Sequence, residues 1–292
     1  MLSQQLHYIL SCGIGRFQSG RMRCPQCGSN RRRRISTKKW ITSLVECREC
    51  MLRFRVPQDP AKHHFDFYQK AYTSSLATEC PTPDQLQAML ETGFRKTEKN
   101  FDRRIEILTA LGIKPGQDVL DYGASWGYAT WQFQRFDFHS MGYEISQPRA
   151  KYAREHLGVN VVDTEEAVPS GSFDCVFSSH VLEHVPAPKY AIQFGERVLR
   201  PGGLFVAFTP NGSEACRENH PRDYDHSWGR LHPLYLNAEF YAKYFSDRPY
   251  LLISAEYGTQ YDLPTIARWD RKTQCIEDIS GRELLIVSVL QN

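Results

Sequence analysis

Val119-Leu-Asp-Tyr-Gly-Ala-Ser-Trp-Gly127 is the stretch from which the rest of the chain can be read. An apolar run that stops at a carboxylate and two glycines four apart predicts a buried parallel strand, a tight loop and then a helix starting near Tyr128. At the carboxyl edge of a doubly wound sheet, such a loop is where ligands bind. A bare turn is the competing reading, because a strand followed by a glycine loop is common without any ligand.

Two cofactor classes use such a loop, and the carboxylate separates them. A dinucleotide sets its pyrophosphate on the helix N-terminus, and a carboxylate ending the strand would repel it. S-adenosylmethionine has no phosphate and presents a sulfonium and an ammonium, which Asp121 would attract. The spacing also departs from G-x-G-x-x-G, since Gly123 is followed by Ser125 and Gly127.

Further along, Met141-Gly-Tyr-Glu-Ile-Ser146 reads as a second strand ending in Glu144, roughly twenty residues past the glycines, where an acid can accept both ribose hydroxyls. Taken alone, Glu144 could equally be a solvated surface residue. Then follow Gly171-Ser-Phe-Asp-Cys-Val-Phe-Ser-Ser179, His180-Val-Leu-Glu-His-Val185 and Arg197-Val-Leu-Arg-Pro-Gly-Gly-Leu-Phe-Val206. With this ordered string, the chain from about Asp118 to Phe245 resembles the class I S-adenosylmethionine-dependent methyltransferases, in the branch of ubiquinone-type O-methyltransferases and glycan-cluster enzymes. The resemblance implies an α/β, doubly wound Rossmann-like sheet of seven strands closed by an antiparallel pair near Leu251–Tyr257 and Glu283–Leu290. It also implies that Asp121 and Gly123 line the methionine part of the cofactor, with Ser125 and Gly127 in the turn beside it. Glu144 would hold the ribose and Ile145 the adenine, with Asp163 or Thr164 near the adenine amino group. Ser179 and His180 would face the methyl group. Ser125 departs from the family's usual glycine, so either the loop stands off the cofactor or the hydroxyl bonds to it.

The 292 residues suffice for a large core and a small appendage. A composition 41% hydrophobic and 24% charged is ordinary for a globular chain, so disorder is not the default. No apolar run approaches the roughly 18 residues that span a bilayer, and the N-terminus lacks the pattern of a signal peptide, so a soluble, cytoplasmic protein is expected. The net charge is +3, yet residues 1–60 hold twelve Lys or Arg against three acids, a balance of +9 that leaves −6 elsewhere. That asymmetry signals either an anionic partner at the basic end or solvated loops.

At that end, Cys24-Pro-Gln-Cys27 and Cys47-Arg-Glu-Cys50 stand 19 residues apart. Two C-x-x-C knuckles at this separation bring four thiolates to one tetrahedral zinc. The predicted zinc-ribbon spans residues 22–57, with strands at Ile41–Val45 and Leu52–Val56, and its closed coordination makes it structural. Residues 1–21 are expected to be a loosely held, disordered extension, or Met22 is the natural start. Residues 58–97 form a linker and helical cap, with an aromatic patch at His63–Tyr72 and a helix over Gln85–Thr92 capped by Asp84. The cofactor domain is residues 98–292, opening with an amphipathic helix over Glu98–Leu111. Within it, strands are predicted at Asp118–Tyr122, His139–Glu144, Val159–Val162, Phe173–Ser178 and Gly203–Thr209. Helices are predicted at Tyr128–Arg135, Gln147–His156 and Lys189–Leu199.

A hydroxyl acceptor must lose a proton as it is methylated, so a base is required. His180, His184, His226 and His232 are candidates, with His184 and His232 foremost, although any of them can instead be structural. Three functions follow. The first is O-methylation of a small molecule, glycan or nucleotide-sugar. The second is an rRNA or tRNA methyltransferase that grips nucleic acid through Arg31–Arg34. The third is a non-catalytic docking protein that keeps the cofactor.

Overall fold

The computed structural model describes residues 10–60, 79–257 and 259–289. The aromatic patch His63–Tyr72 lies outside the described residues, as do residues 1–9 of the expected extension. Residues 10–21 are held to the fold: residues 10–15 are helical, Cys12 is buried, and the Arg21 guanidinium donates to the carbonyls of Ser11 and Gln58.

Three strands follow, β1 (Arg32–Lys38), β2 (Thr42–Cys47) and β3 (Arg53–Val56). β1 pairs antiparallel with β2, and β2 with β3. The arginine run, read from sequence as a candidate loop or anion grip, is therefore a paired strand. Next come α1 (Pro83–Glu91) and α2 (Asp102–Ala110). α1 is capped by Thr82, whose hydroxyl accepts from the Gln85 N–H while the Gln85 side chain accepts from the Thr82 N–H. Asp84 lies too late in the chain to be the cap, because Pro83 takes the first helical position, where a missing N–H costs nothing.

The alternation then runs β4 (Asp118–Tyr122), α3 (Tyr128–Arg135), β5 (His139–Tyr143), α4 (Gln147–Tyr152), β6 (Val161–Val162), β7 (Phe173–Ser179), α5 (Pro188–Val198) and β8 (Leu199–Pro210). The helices α6 (Glu214–Asn219) and α7 (Pro221–Ser227), the short β9 (Leu234–Tyr235) and α8 (Ala238–Tyr244) come after. β10 (Tyr250–Ala255), α9 (Leu263–Arg268), β11 (Gln274–Ile276) and β12 (Glu283–Val289) complete the fold. The main sheet has the order β11-β10-β12-β8-β7-β4-β5-β6. β4 pairs parallel with both β5 and β7, and β12 runs antiparallel to β8 and β10, the expected closing pair. Against the seven strands expected, β11 adds an eighth at the edge.

Side chains alternate across this sheet. Leu120, Val176, Phe205 and Ile286 pack on one face, and Val119, Phe177, Val206 and Val287 on the other with α2 and α3. The first face carries Cys24, Val45, Cys47 and Phe54 in the same apolar cluster, so the N-terminal module and the sheet share a core. β9 joins β3 as a fourth strand of the small sheet. Among the described residues, no helix is long and apolar enough to cross a membrane.

Candidate active site

The loop after β4 turns through three left-handed residues, Gly123, Ser125 and Gly127, with φ of 87°, 52° and 85°. At Gly123 a Cβ would also stand 2.3 Å from a Val181 methyl, so only glycine fits. The loop's N–H groups point inward. Those of Gly123 and Ala124 donate to the Tyr143 carbonyl at 2.8 and 3.0 Å, and that of Ser125 donates to Glu144 Oε2 at 2.8 Å. A pyrophosphate cradle needs those amides turned outward. With them engaged, the residues fit a cofactor that carries no phosphate, as S-adenosylmethionine does.

Glu144 is buried, and its other oxygen accepts from the Ser146 N–H at 2.8 Å. Burial raises its pKa, against the pull of those backbone hydrogen bonds and of Arg149. Arg149 donates to the Ser125 hydroxyl at 3.2 Å, so the serine at the family's glycine position is tied to α4. Each carboxylate oxygen of Glu144 keeps a second lone pair for a ribose hydroxyl. Asp121 lies beneath the loop. Its carboxylate accepts from the Thr130 hydroxyl at 2.8 Å, and burial pushes its pKa up to about 7 despite that bond.

One cavity of about 1240 Å³ gathers most of the predicted residues. Gly123, Ser125, Glu144, Ile145, Ser179, His180 and His184 line it. Asp121, Gly127, Asp163, Thr164 and His232 are not on its wall. Gly127 faces Ala153 and Val159 behind the loop, and Asp163 stands 3.9 Å from Arg154. The wall also holds residues that the sequence motifs did not point to, among them Lys99, Arg104, Glu165, Tyr257 and Glu283. Glu283 opens the last strand, and only the antiparallel closure of the sheet brings it beside the end of β7.

His180 sits there with φ of 54°, a strained backbone for a non-glycine residue. Its Nε2 donates to Glu283 Oε1 at 2.7 Å, and Nδ1 stands 3.4 Å from Glu183 Oε1. Burial alone would lower its pKa, but the two carboxylates outweigh burial and raise it to about 9. Glu283 also accepts from Arg104 at 2.5 Å and from the Tyr261 hydroxyl at 3.0 Å. The two carboxylates thus favour the charged imidazolium of His180. His226 donates to the Arg222 carbonyl on α7, away from the cavity wall. His184 and His232 stack edge to face, with ring centroids 4.8 Å apart.

In the N-terminal module, the sulfurs of Cys24, Cys27, Cys47 and Cys50 lie within 4.8 Å of one another, with Cys24–Cys50 and Cys27–Cys47 both at 3.5 Å. Four thiolates around zinc at about 2.3 Å would stand about 3.8 Å apart, so the donor set and spacing fit that ion.

Sheet order and strand-end loop are those of an α/β Rossmann-like fold of the methyltransferase type. Residues 120–207 match the family model for a methyltransferase domain. Over 122 residues, 39% of this chain and 51% of the relative, the chain is 30% identical to a ubiquinone biosynthesis O-methyltransferase of Xanthomonas campestris. Over 109 residues, 35% of this chain and 28% of the relative, it is 32% identical to the cyclopropane-fatty-acyl-phospholipid synthase of Escherichia coli. The chain thus spans at most about half the length of these curated relatives. The fold is shared with phosphoethanolamine N-methyltransferase 2 of Haemonchus contortus, solved with S-adenosyl-L-methionine, at a TM-score of 0.52 and 14% identity over 82% of this chain and 62% of that one.

Proposed function

We propose that the protein transfers the methyl group of S-adenosylmethionine to a hydroxyl of a small molecule, of the glycan or nucleotide-sugar class. The observation that carries this reading is that a single cavity is lined both by the phosphate-free cofactor loop and Glu144 and by His180, Tyr257 and Glu283. Its volume of about 1240 Å³ exceeds the roughly 300–1,000 Å³ of a typical ligand pocket, so a cofactor and a modest acceptor fit together. The cofactor supplies an electrophilic methyl group on a sulfonium. The chain's part is to hold the two reactants in line, which is where most of the rate gain of such a transfer arises.

In this reading Gly123, Ser125 and Glu144 hold the methionine and ribose parts, Ile145 packs on the adenine, and Ser179 borders the methyl group. Asp121 supports the loop from below and adds negative charge near the sulfonium. Asp163 and Thr164 stand off the cavity, and Glu165 takes the adenine side instead. The imidazolium of His180, with Arg104, presents positive charge to the acceptor. The Cys24, Cys27, Cys47 and Cys50 set holds a structural zinc. The name of the Xanthomonas relative supports oxygen as the atom methylated. No residue before Lys96 is among the described residues lining the cavity, which favours recognition of the acceptor within it over a grip by the arginine strand.

The test is binding and turnover. Calorimetry should show S-adenosylhomocysteine bound at one site, and a methyl-transfer screen of nucleotide-sugars, quinols and rRNA should select a hydroxylated small molecule. Cofactor bound without turnover of any acceptor would support the docking protein instead, and turnover of rRNA alone would overturn the small-molecule assignment.

A further inference from the structure

Glu183 has a side chain only 1% exposed, and neither carboxylate oxygen receives a hydrogen bond from the described residues. An unsatisfied carboxylate in that position is costly, and proteins keep one when something else binds it. His180 Nδ1 faces it at 3.4 Å, but that imidazolium is already carried by Glu283 at 2.7 Å. The Tyr241 hydroxyl, close enough for the charge of Glu183 to act on it, is a second buried polar group with no hydrogen-bond partner among the described residues.

Two imidazoles close the group. His184 Nδ1 donates to the Leu231 carbonyl at 2.6 Å, and His232 Nδ1 donates to the Ser227 carbonyl at 2.7 Å. A backbone carbonyl holding one ring nitrogen is how metal-binding histidines are oriented, and it leaves Nε2 as the atom each can offer a cation. His184 Nε2 stands 3.9 Å from Glu183 Oε1, and the ligand atoms of all three residues fall within 4.8 Å of one another. Bonds of about 2.1 Å to a shared ion need a contraction of about an ångström, within reach of side-chain adjustment.

We propose that Glu183, His184 and His232 bind a divalent first-row transition cation. Two imidazoles and one carboxylate suit Mn²⁺, Co²⁺ or Zn²⁺ and disfavour Ca²⁺ and Mg²⁺, which take oxygen ligands. Three protein ligands leave coordination positions open, and His184 lies on the cavity wall. A cation there can bind an acceptor oxygen and lower its pKa, which makes a histidine base unnecessary. That role rests on the methyl-transfer reading above, whereas the site rests on the three side chains alone.

The experiment is a Mn²⁺ titration of the full chain with its ribbon metal in place, followed by the electron paramagnetic resonance of the free ion. Mn²⁺ avoids thiolate sites, so it reports on this cluster. One Mn²⁺ should bind per chain, and His232→Ala should weaken it about tenfold or more while leaving S-adenosylhomocysteine binding intact. Glu183→Gln gives a second variant with the same expectation. Failure of the wild-type chain to bind Mn²⁺ at millimolar concentration, or equal binding by His232→Ala, overturns the site. Absence of cofactor binding in the wild-type chain would instead count against the methyltransferase reading, and the Mn²⁺ affinities would still decide the metal site.

Discussion

Arg53 of the N-terminal module places Nη2 2.7 Å from Glu214 Oε2, 161 residues further along the chain. Its Nε meets Glu46 at 2.9 Å and its Nη1 the Gly212 carbonyl and the Tyr224 hydroxyl, while the side chain stays 1% exposed. A guanidinium satisfied on every side ties the small sheet to the segment Gly212–Tyr224, which follows the main-sheet strand β8. Arg53→Met should therefore destabilise the whole chain. Removing one partner of a buried pair costs roughly 3–5 kcal/mol, and the lower end is expected because Arg33 still reaches Glu46 at 2.7 Å. Urea unfolding followed by metal release and by near-ultraviolet circular dichroism should give one coincident transition. Early loss of metal with the domain's aromatic signal unchanged would show two independent units.

Metal analysis of protein purified without chelator should find one zinc at Cys24, Cys27, Cys47 and Cys50. Because Cys24 and Cys47 belong to the apolar cluster that contains Leu120 and Phe205, Cys47→Ser should lower the Tm of the main sheet together with that of the N-terminal module. An unchanged domain Tm in that variant would refute the shared core.

Glu144→Ala should weaken S-adenosylhomocysteine at least tenfold by calorimetry. The carboxylate pins Ser125 and Ser146 through their N–H groups, and in the proposed function it offers charged acceptors to the ribose. A single hydrogen bond to a charged group is worth about 1.5–3 kcal/mol, and about 1.4 kcal/mol is already tenfold. Unchanged affinity would move the ribose to another strand end.

The strands of the main sheet were legible because buried parallel strands are short apolar runs that end at glycine or a carboxylate, and Asp118–Tyr122 and the helix Tyr128–Arg135 after it fall where the pattern places them. β1 was not legible. Arg31 and Arg33 look solvated until Glu49 and Glu46 are seen beside them, and the pairing of Arg33 with Glu46 is set by strand register. The contact of β3 with β9 rests on a two-residue strand almost two hundred positions away, too short to leave a period. For the same reason, spacing found His180, His184 and Glu144 but not Glu283, which reaches the site only through the fold of the last strand.

Asp121 gives a pH signature. Burial raises its pKa from 3.8 to about 7, so between those values the folded chain holds a proton that the unfolded chain has lost. Stability from this group is therefore full below pH 3.8 and falls as pH rises towards about 7. Asp121→Asn should remove that slope. Unfolding free energies measured across this range should show a shallower loss in the variant, and parallel curves would mean that Asp121 stays ionised, as a nearby cation would make it.

The last expectation concerns the arginine strand. Arg31 pairs with Glu49 at 2.8 Å and Arg33 with Glu46 at 2.7 Å, so two of its four charges are already answered within the module. An RNA held by this strand would lose affinity with salt at a log–log slope of roughly −0.7 per phosphate contact on a single strand. A small acceptor enclosed by the cavity owes the strand nothing, since none of its residues lines that wall. Changing Arg31–Arg34 to Ser should accordingly leave the acceptor KM and its salt dependence unchanged, and cofactor affinity with them. A raised KM together with a flattened salt dependence would place an anionic acceptor on the strand and transfer recognition from the cavity to the ribbon.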